Sequence, residues 1–285
     1  MKNLITRTVS GVLFVAIMVV GISFNAMAMM FLFALITGMT IWEFCGLVNE
    51  RKRVSVNRFI CTAAGVYLFL AVGGFCSDIT PAAVFIPYLL TVVYLFVSEL
   101  YLKQDDPINN WAYTMLSQMY IALPFSTINM LAFGQDEQSG VVVYHWLVPL
   151  SVFIFLWVSD TGAYCTGTLF GRHRLFERIS PKKSWEGSIG GGVLVLVAAW
   201  VVWLISSQDG ANATELTLPQ WLGLGLVTVV FGTWGDLVES LFKRTLGIKD
   251  SGNILPGHGG MLDRFDSSLM ALPAAVVYLY TLTLL

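Results

Sequence analysis

The sequence predicts an all-α polytopic integral membrane protein, and three observations carry that expectation. Hydrophobic residues make up 56% of the 285 positions and charged residues 12%, with a mean hydropathy of +0.73; soluble domains are far more polar. The apolar residues gather into nine stretches, at about 8–24, 26–48, 58–76, 81–102, 111–133, 144–170, 188–206, 219–242 and 267–285, each near the length of a bilayer-crossing helix. The polar connections between them sort by sign of charge. The net charge of −2 gives no basic footprint for nucleic acid.

Taken in order, the first stretch follows Lys2 and Arg7, and Ala26-Met27-Ala28 mimics a signal-peptide cleavage site. Apolar sequence resumes at once, so a retained helix is expected. The next three stretches carry little chemistry. Arg51-Lys52-Arg53 reads as a topology signal, with anionic-lipid contact the sharper alternative. Glu43 sits within apolar sequence, and an interhelix partner and a site residue are equally good readings of it. In the sixth stretch Asp160 lies 12 residues before Arg172, or about 18 Å inward along a helix. A carboxylate at that depth needs a partner or a wet cavity. Gly167 and Gly171 allow close approach of another helix. Cys45, Cys61, Cys76 and Cys165 form no metal or redox spacing and read as small buried hydrophobes. The chain is expected to be one transmembrane domain, 1–285. Residues 1–143 supply less specific helices, and 144–285 the catalytic helices and loops.

With the N-terminus cytoplasmic, nine spans put all 16 Lys and Arg residues on one side. The opposite loops hold only acids: Asp78, Asp136, Glu137, Asp209 and Glu215. Positive charge marks the cytoplasmic side, so the expectation is an odd number of spans, N-terminus inside and C-terminus outside.

The chemistry concentrates between Asp236 and Asp266. On a helical wheel Asp236, Glu239, Ser240, Lys243 and Arg244 share one face, and Leu237, Val238, Leu241 and Phe242 take the other. The loop adds Lys249, Asp250 and the glycine-rich run from Pro256 to Gly260, with His258, Gly259 and Gly260 in it. Asp263 and Asp266 follow, three apart and so expected on one side of a helix start, with Arg264 between them. Carboxylates that bind a hard cation, beside cations and free N–H groups that bind phosphate, suggest metal-assisted phosphoryl chemistry. An ordinary helix end accounts for Lys243, Arg244 and Asp266, but not for Asp236 well inside the helix. A second polar run, Ser180 to Gly187, contains Lys182, Lys183 and Ser184 just before a glycine-rich helix entry. It reads equally as a triphosphate seat and as a solvated basic loop.

The run S-L-F-K-R-x4-K-D-S-G-x2-L-P-G-H-G-G-M-L-D-R-F-D, from Ser240 to Asp266, closely resembles the signature of phosphatidate cytidylyltransferases, or CDP-diacylglycerol synthases. Ser159-to-Tyr164 (SDTGAY) and SPKKSWEG resemble that family's second conserved block, which favours the substrate-seat reading of the basic loop. The resemblance implies that CTP and phosphatidic acid yield CDP-diacylglycerol and pyrophosphate. It also implies Mg²⁺, leaving room for a monovalent cation such as K⁺, and a homodimer in membrane lipid. The expected site is a bacterial cytoplasmic (inner) membrane, with the active site facing the cytoplasm. Asp236, Asp263 and Asp266 are the candidate metal ligands, with Ser240 as a fourth oxygen, and Lys243 joins them as a catalytic candidate. Lys182, Lys183, Ser184, Arg244, Lys249, Asp250, His258, Gly259, Gly260, Arg264 and Asp160 are the candidate substrate-binding residues. His258 is equally a loop histidine with a local backbone partner. An ion-coupled transporter would also use intramembrane Asp160 and Asp236, but the chain shows no internal repeat. A CTP-using polyprenol kinase would share nucleotide and membrane but release CDP.

Overall fold

A computed structural model describes residues 2–136, 139–208, 216–252 and 259–284. His258 and the acidic Glu137, Asp209 and Glu215 lie outside the described residues. The helices are α1 (Lys2–Phe24), α2 (Ala26–Asn49), α3 (Arg58–Cys76), α4 (Ile86–Leu102), α5 (Pro107–Ser117), α6 (Leu123–Ala132), α7 (Leu147–Phe170), α8 (Trp185–Gln208), α9 (Leu218–Leu246), α10 (Leu262–Phe265) and α11 (Ser268–Leu284). Two small antiparallel ladders interrupt them, which the all-α expectation lacked. β1 (Phe133–Gln135) pairs with β2 (Val142–Tyr144), and β3 (Arg174–Phe176) with β4 (Ser180–Ser184).

The protein is a helical, polytopic membrane protein. Among the described residues seven helical segments are long and apolar enough to cross a bilayer. The other two expected spans have a different form. The apolar part of α1 is Thr8–Phe24, shorter than the rest. The stretch expected at 111–133 is α5 and α6 joined through a π-turn, Gln118–Ala122. Buried Gln118 there donates to the Cys61 carbonyl at 3.0 Å, so the side chain at the irregular turn holds α3.

The chain divides into two units, residues 1–144 with 248–265, and residues 145–247 with 266–285. In the first, asparagines set the helix boundaries. Asn25 accepts from the Ala28 N–H at 2.8 Å, ending α1 and starting α2 with one residue between them. Asn57 caps α3 by accepting from Ile60 N–H at 3.0 Å. Asn49 closes the intervening basic loop by exchanging two hydrogen bonds with Val56, at 2.9 and 2.7 Å. Such caps satisfy N–H groups that a helix start leaves unpaired. The core centres on four phenylalanines. Phe265 meets Phe14, Phe33 and Phe125 edge to face, with ring centroids 5.6, 6.5 and 5.5 Å away.

In the second unit α7 and α8 meet along a seam of small residues. A methyl group on Gly162 would come within 2.9 Å of the Gly191 Cα, and one on Gly191 within 2.7 Å of the Ser159 carbonyl oxygen. Glycine at both positions is what permits this approach. α9 packs against both helices of this pair, and α11 against α9 and α7. A Thr217–Gln220 capping box starts α9, and Gly247, with φ of 74°, ends it.

Candidate active site

On α9 two pairs one turn apart meet, Asp236 with Ser240 and Glu239 with Lys243. Ser240 Oγ donates to Asp236 Oδ1 at 3.2 Å, one turn away. The other Asp236 oxygen, Oδ2, forms an ion pair with Lys183 Nζ from β4. This joins two polar runs more than 50 residues apart in the sequence. One turn further, the carboxylate of fully buried Glu239 pairs with Lys243 at 2.6 Å, so the Lys243 ammonium neutralises a carboxylate inside the unit.

Gly235 explains how Asp266 comes to this place. A Cβ on Gly235 would lie 2.6 Å from the Asp266 carbonyl oxygen and 3.0 Å from Ser267 Cα. The bare backbone of α9 therefore seats the Asp266–Ser267 turn directly, and Asp266 falls within electrostatic reach of Asp236, Asp160 and Lys183. Asp160 itself is exposed on α7 rather than enclosed by packing.

The hairpin bearing Lys183 is held from both ends. Ser184 is buried, and its hydroxyl accepts from Gly187 N–H at 3.1 Å, which caps α8. Glu186 accepts from the Arg172 and His173 backbone N–H groups, at 3.1 and 3.2 Å, and bonds His173 Nδ1 at 2.6 Å. The fixed hairpin leaves Lys182 exposed and Lys183 half-buried beside Asp236.

The glycine-rich return belongs to the first unit. Asp263 Oδ2 accepts from Ser251 N–H at 2.8 Å and from Gly260 N–H at 2.9 Å. Gly259 has a φ of 83°, and a Cβ there would lie 2.5 Å from Asp263 Oδ2. Positive φ and the close carboxylate both require glycine. Glu43, buried on α2, accepts from Ser251 Oγ, Met261 N–H and Leu262 N–H at 2.5, 2.9 and 3.1 Å. Lys249, Asp250 and Arg244 are exposed, and Arg264 is half-buried.

Two sequence expectations change here. Asp263 and Asp266 do not share a helix start. Asp263 belongs to α10, which ends at Phe265, whereas Asp266 sits in the following turn and accepts from Ser267 N–H at 2.5 Å. Packing of Phe265 among aromatic rings and of Ser267 on Gly235 breaks the helix between them. Glu43, left open between two roles, is a partner of the signature loop. Spacing had given Glu186 and Gly235 no role at all. For Glu43 the available signal was the acid itself, alone in an apolar stretch.

The donor set suits a hard divalent cation, since Asp236, Asp266 and Ser240 offer oxygen only. The Lys183 ammonium on Asp236 shows that a cation is accommodated at that carboxylate. No three His, Cys, Asp or Glu side chains among the described residues converge as an all-protein metal cage. An ion held by Asp236 and Asp266 would complete its shell with the Ser240 hydroxyl, substrate oxygens and water, as Mg²⁺ commonly does.

Comparison with known proteins identifies the family. The cytidylyltransferase family matches residues 5–282. A phosphatidate cytidylyltransferase of Haemophilus influenzae is 33% identical over 258 residues, covering 85% of this chain and 88% of its relative. One from Staphylococcus haemolyticus is 35% identical over 231 residues, 79% of this chain and 80% of that protein. One from Staphylococcus aureus reaches 41% over 162 residues, 57% of this chain and 56% of that protein. With the family matched over almost the full chain, this protein belongs to the cytidylyltransferase family.

Proposed function

We propose that this enzyme transfers the cytidylyl group of CTP to phosphatidic acid, releasing pyrophosphate and forming CDP-diacylglycerol for phospholipid synthesis. The observation that carries the proposal is the Lys183–Asp236 pair with Ser240 and Asp266 beside it. It sets phosphate-binding and cation-binding groups together on the two runs that resemble the lipid-using enzymes. The relatives' shared name supplies the substrates.

In this mechanism an anionic oxygen of the lipid phosphate attacks the α-phosphorus of CTP directly. Bound at Asp236 and Asp266, with Asp263 as a further candidate, a divalent cation such as Mg²⁺ supplies neutralisation of phosphate charge. A monovalent ion such as K⁺ beside it belongs to the same proposal. Lys183 and Lys182 hold phosphate oxygens, and Arg244 and Lys249 are the further cations at the loop. Positioning and charge neutralisation supply the catalysis, so little covalent work falls to the chain.

A covalent route through Ser240 would need a committed base with an orienting partner. His173 is engaged with Glu186, and the lipid nucleophile is already anionic. Direct displacement is therefore preferred. The enzyme acts as a homodimer in the bacterial inner membrane with this site at the cytoplasmic face, where CTP is found.

The test uses purified protein with CTP and phosphatidic acid, each omitted in turn, and then isotopically chiral α-thio-CTP. Pyrophosphate release that requires both substrates, with inversion at phosphorus, is expected. Release without lipid, or retention of configuration, overturns direct transfer.

A further inference from the structure

The most deeply committed carboxylate outside the Asp236 cluster is Glu43 on α2. It is 8% exposed, within a helix otherwise lined by apolar side chains and threonine. Burying an ionisable group in such surroundings is unfavourable unless its oxygens are fully engaged. They are engaged at both ends of one loop. Oε1 accepts from Ser251 Oγ and Leu262 N–H, and Oε2 from Met261 N–H.

The fit continues around the carboxylate. A Cβ on Gly252 would stand 2.7 Å from Glu43 Oε2, and one on Gly260 2.1 Å from Oε1. These glycines leave the space that the carboxylate fills. Asp263 then uses the same framework, because its Oδ2 accepts from Ser251 N–H and Gly260 N–H, and its own N–H donates to Ser251 Oγ at 3.3 Å. Ser251 thus links the two acids: its hydroxyl donates to Glu43 and accepts from the Asp263 backbone.

We propose that Glu43 is a positioning residue for the catalytic loop: held on α2, it fixes Ser251 and residues 260–262, and through them the place and orientation of the Asp263 carboxylate. This rests on the proposed function, in which Asp263 is a cation ligand. Groups that orient a ligating carboxylate act on cation affinity without touching the ion.

Glu43→Gln retains the shape of the side chain. Its amide NH₂ must face at least one of the backbone N–H donors that the carboxylate satisfies, so one donor loses its acceptor. Gly252→Ala provides an independent perturbation, since its methyl group displaces the carboxylate from the other side. The measurements are Mn²⁺ binding to purified full-length protein by electron paramagnetic resonance, thermal unfolding, and the metal dependence of pyrophosphate release.

Both variants are expected to bind Mn²⁺ about 10-fold more weakly, and to recover kcat as the metal concentration is raised. The double variant should be no weaker than the more affected single one, because both act on one contact. Loss of thermal stability with Mn²⁺ affinity unchanged would make Glu43 only a structural buttress and overturn the proposal. Failure of both variants to fold would overturn it in the same way, since the loop would then be part of the folding core. Asp263→Asn separates this from the underlying mechanism. If it binds Mn²⁺ normally, the ligand role of Asp263 fails; if it alone is weakened, only the positioning role of Glu43 fails.

Discussion

Lys183 and Asp236 illustrate what a single residue contributes and how little of it spacing reveals. Each stood out in the sequence, one in a basic loop and one inside an apolar helix, but nothing in either run says that the two touch. Their pairing depends on the β3–β4 hairpin, which Glu186 pins through two backbone N–H groups and His173. Lys183→Gln removes the positive charge that pairs with Asp236; if Lys183 holds phosphate as proposed, the expected result is a fall in kcat/KM of about 10²-fold. Lys182→Gln, at an exposed position, should lose less; steady-state kinetics on both variants checks the order. Gly235 acts at the same scale by having no side chain. Gly235→Ala introduces a methyl group where the Asp266 carbonyl already lies. Displacement of Asp266 by about 1 Å should lower turnover by about 10²-fold, with the helix content by circular dichroism unchanged.

At the scale of elements, the sequence was most readable where one force dominates. Apolar length located the helices, and the 3.6-residue period placed Asp236, Ser240, Glu239 and Lys243 on a common face of α9. The same signal could not show the break between α10 and α11, because Asp263 and Asp266 stand three apart, as they would on one face of an unbroken helix. That break is decided by contacts distant in sequence: Phe14, Phe33 and Phe125 around Phe265. The two ladders escaped for a related reason, since strands of three to five residues are too short to establish a period. Phe265→Ala should empty the aromatic cluster and destabilise the protein by about 3–5 kcal/mol. Thermal unfolding in detergent measures it, and a variant as stable as the parent would show that the cluster does not hold α10.

For the whole molecule, the division into two units does not follow the order of the chain. The loop 248–265, read from the sequence with the C-terminal helices, clusters instead with residues 1–144. Glu43 is the physical reason, with three hydrogen bonds from α2 to that loop. Single-sequence patterning cannot find such a pairing across more than 200 positions. Charge patterning does yield a prediction at this scale, the orientation in the bilayer. In a cysteine-free background, Asp78→Cys should react with an impermeant thiol reagent added to intact cells, and Lys52→Cys should react only after the membrane is opened. Labelling of Lys52→Cys in sealed cells would refute the nine-span, N-inside arrangement.

The one-residue junction at Asn25 bears on how such a chain enters its membrane. α1 and α2 turn back with only that side chain between them, and its amide oxygen is occupied by the Ala28 N–H. An insertion machinery handling this hairpin would have almost no hydrophilic cargo to carry across, since the tip is one residue whose amide oxygen is already bonded within the chain. The two helices are thereby suited to enter together, as one hydrophobic wedge, before any of the candidate catalytic residues has been synthesised.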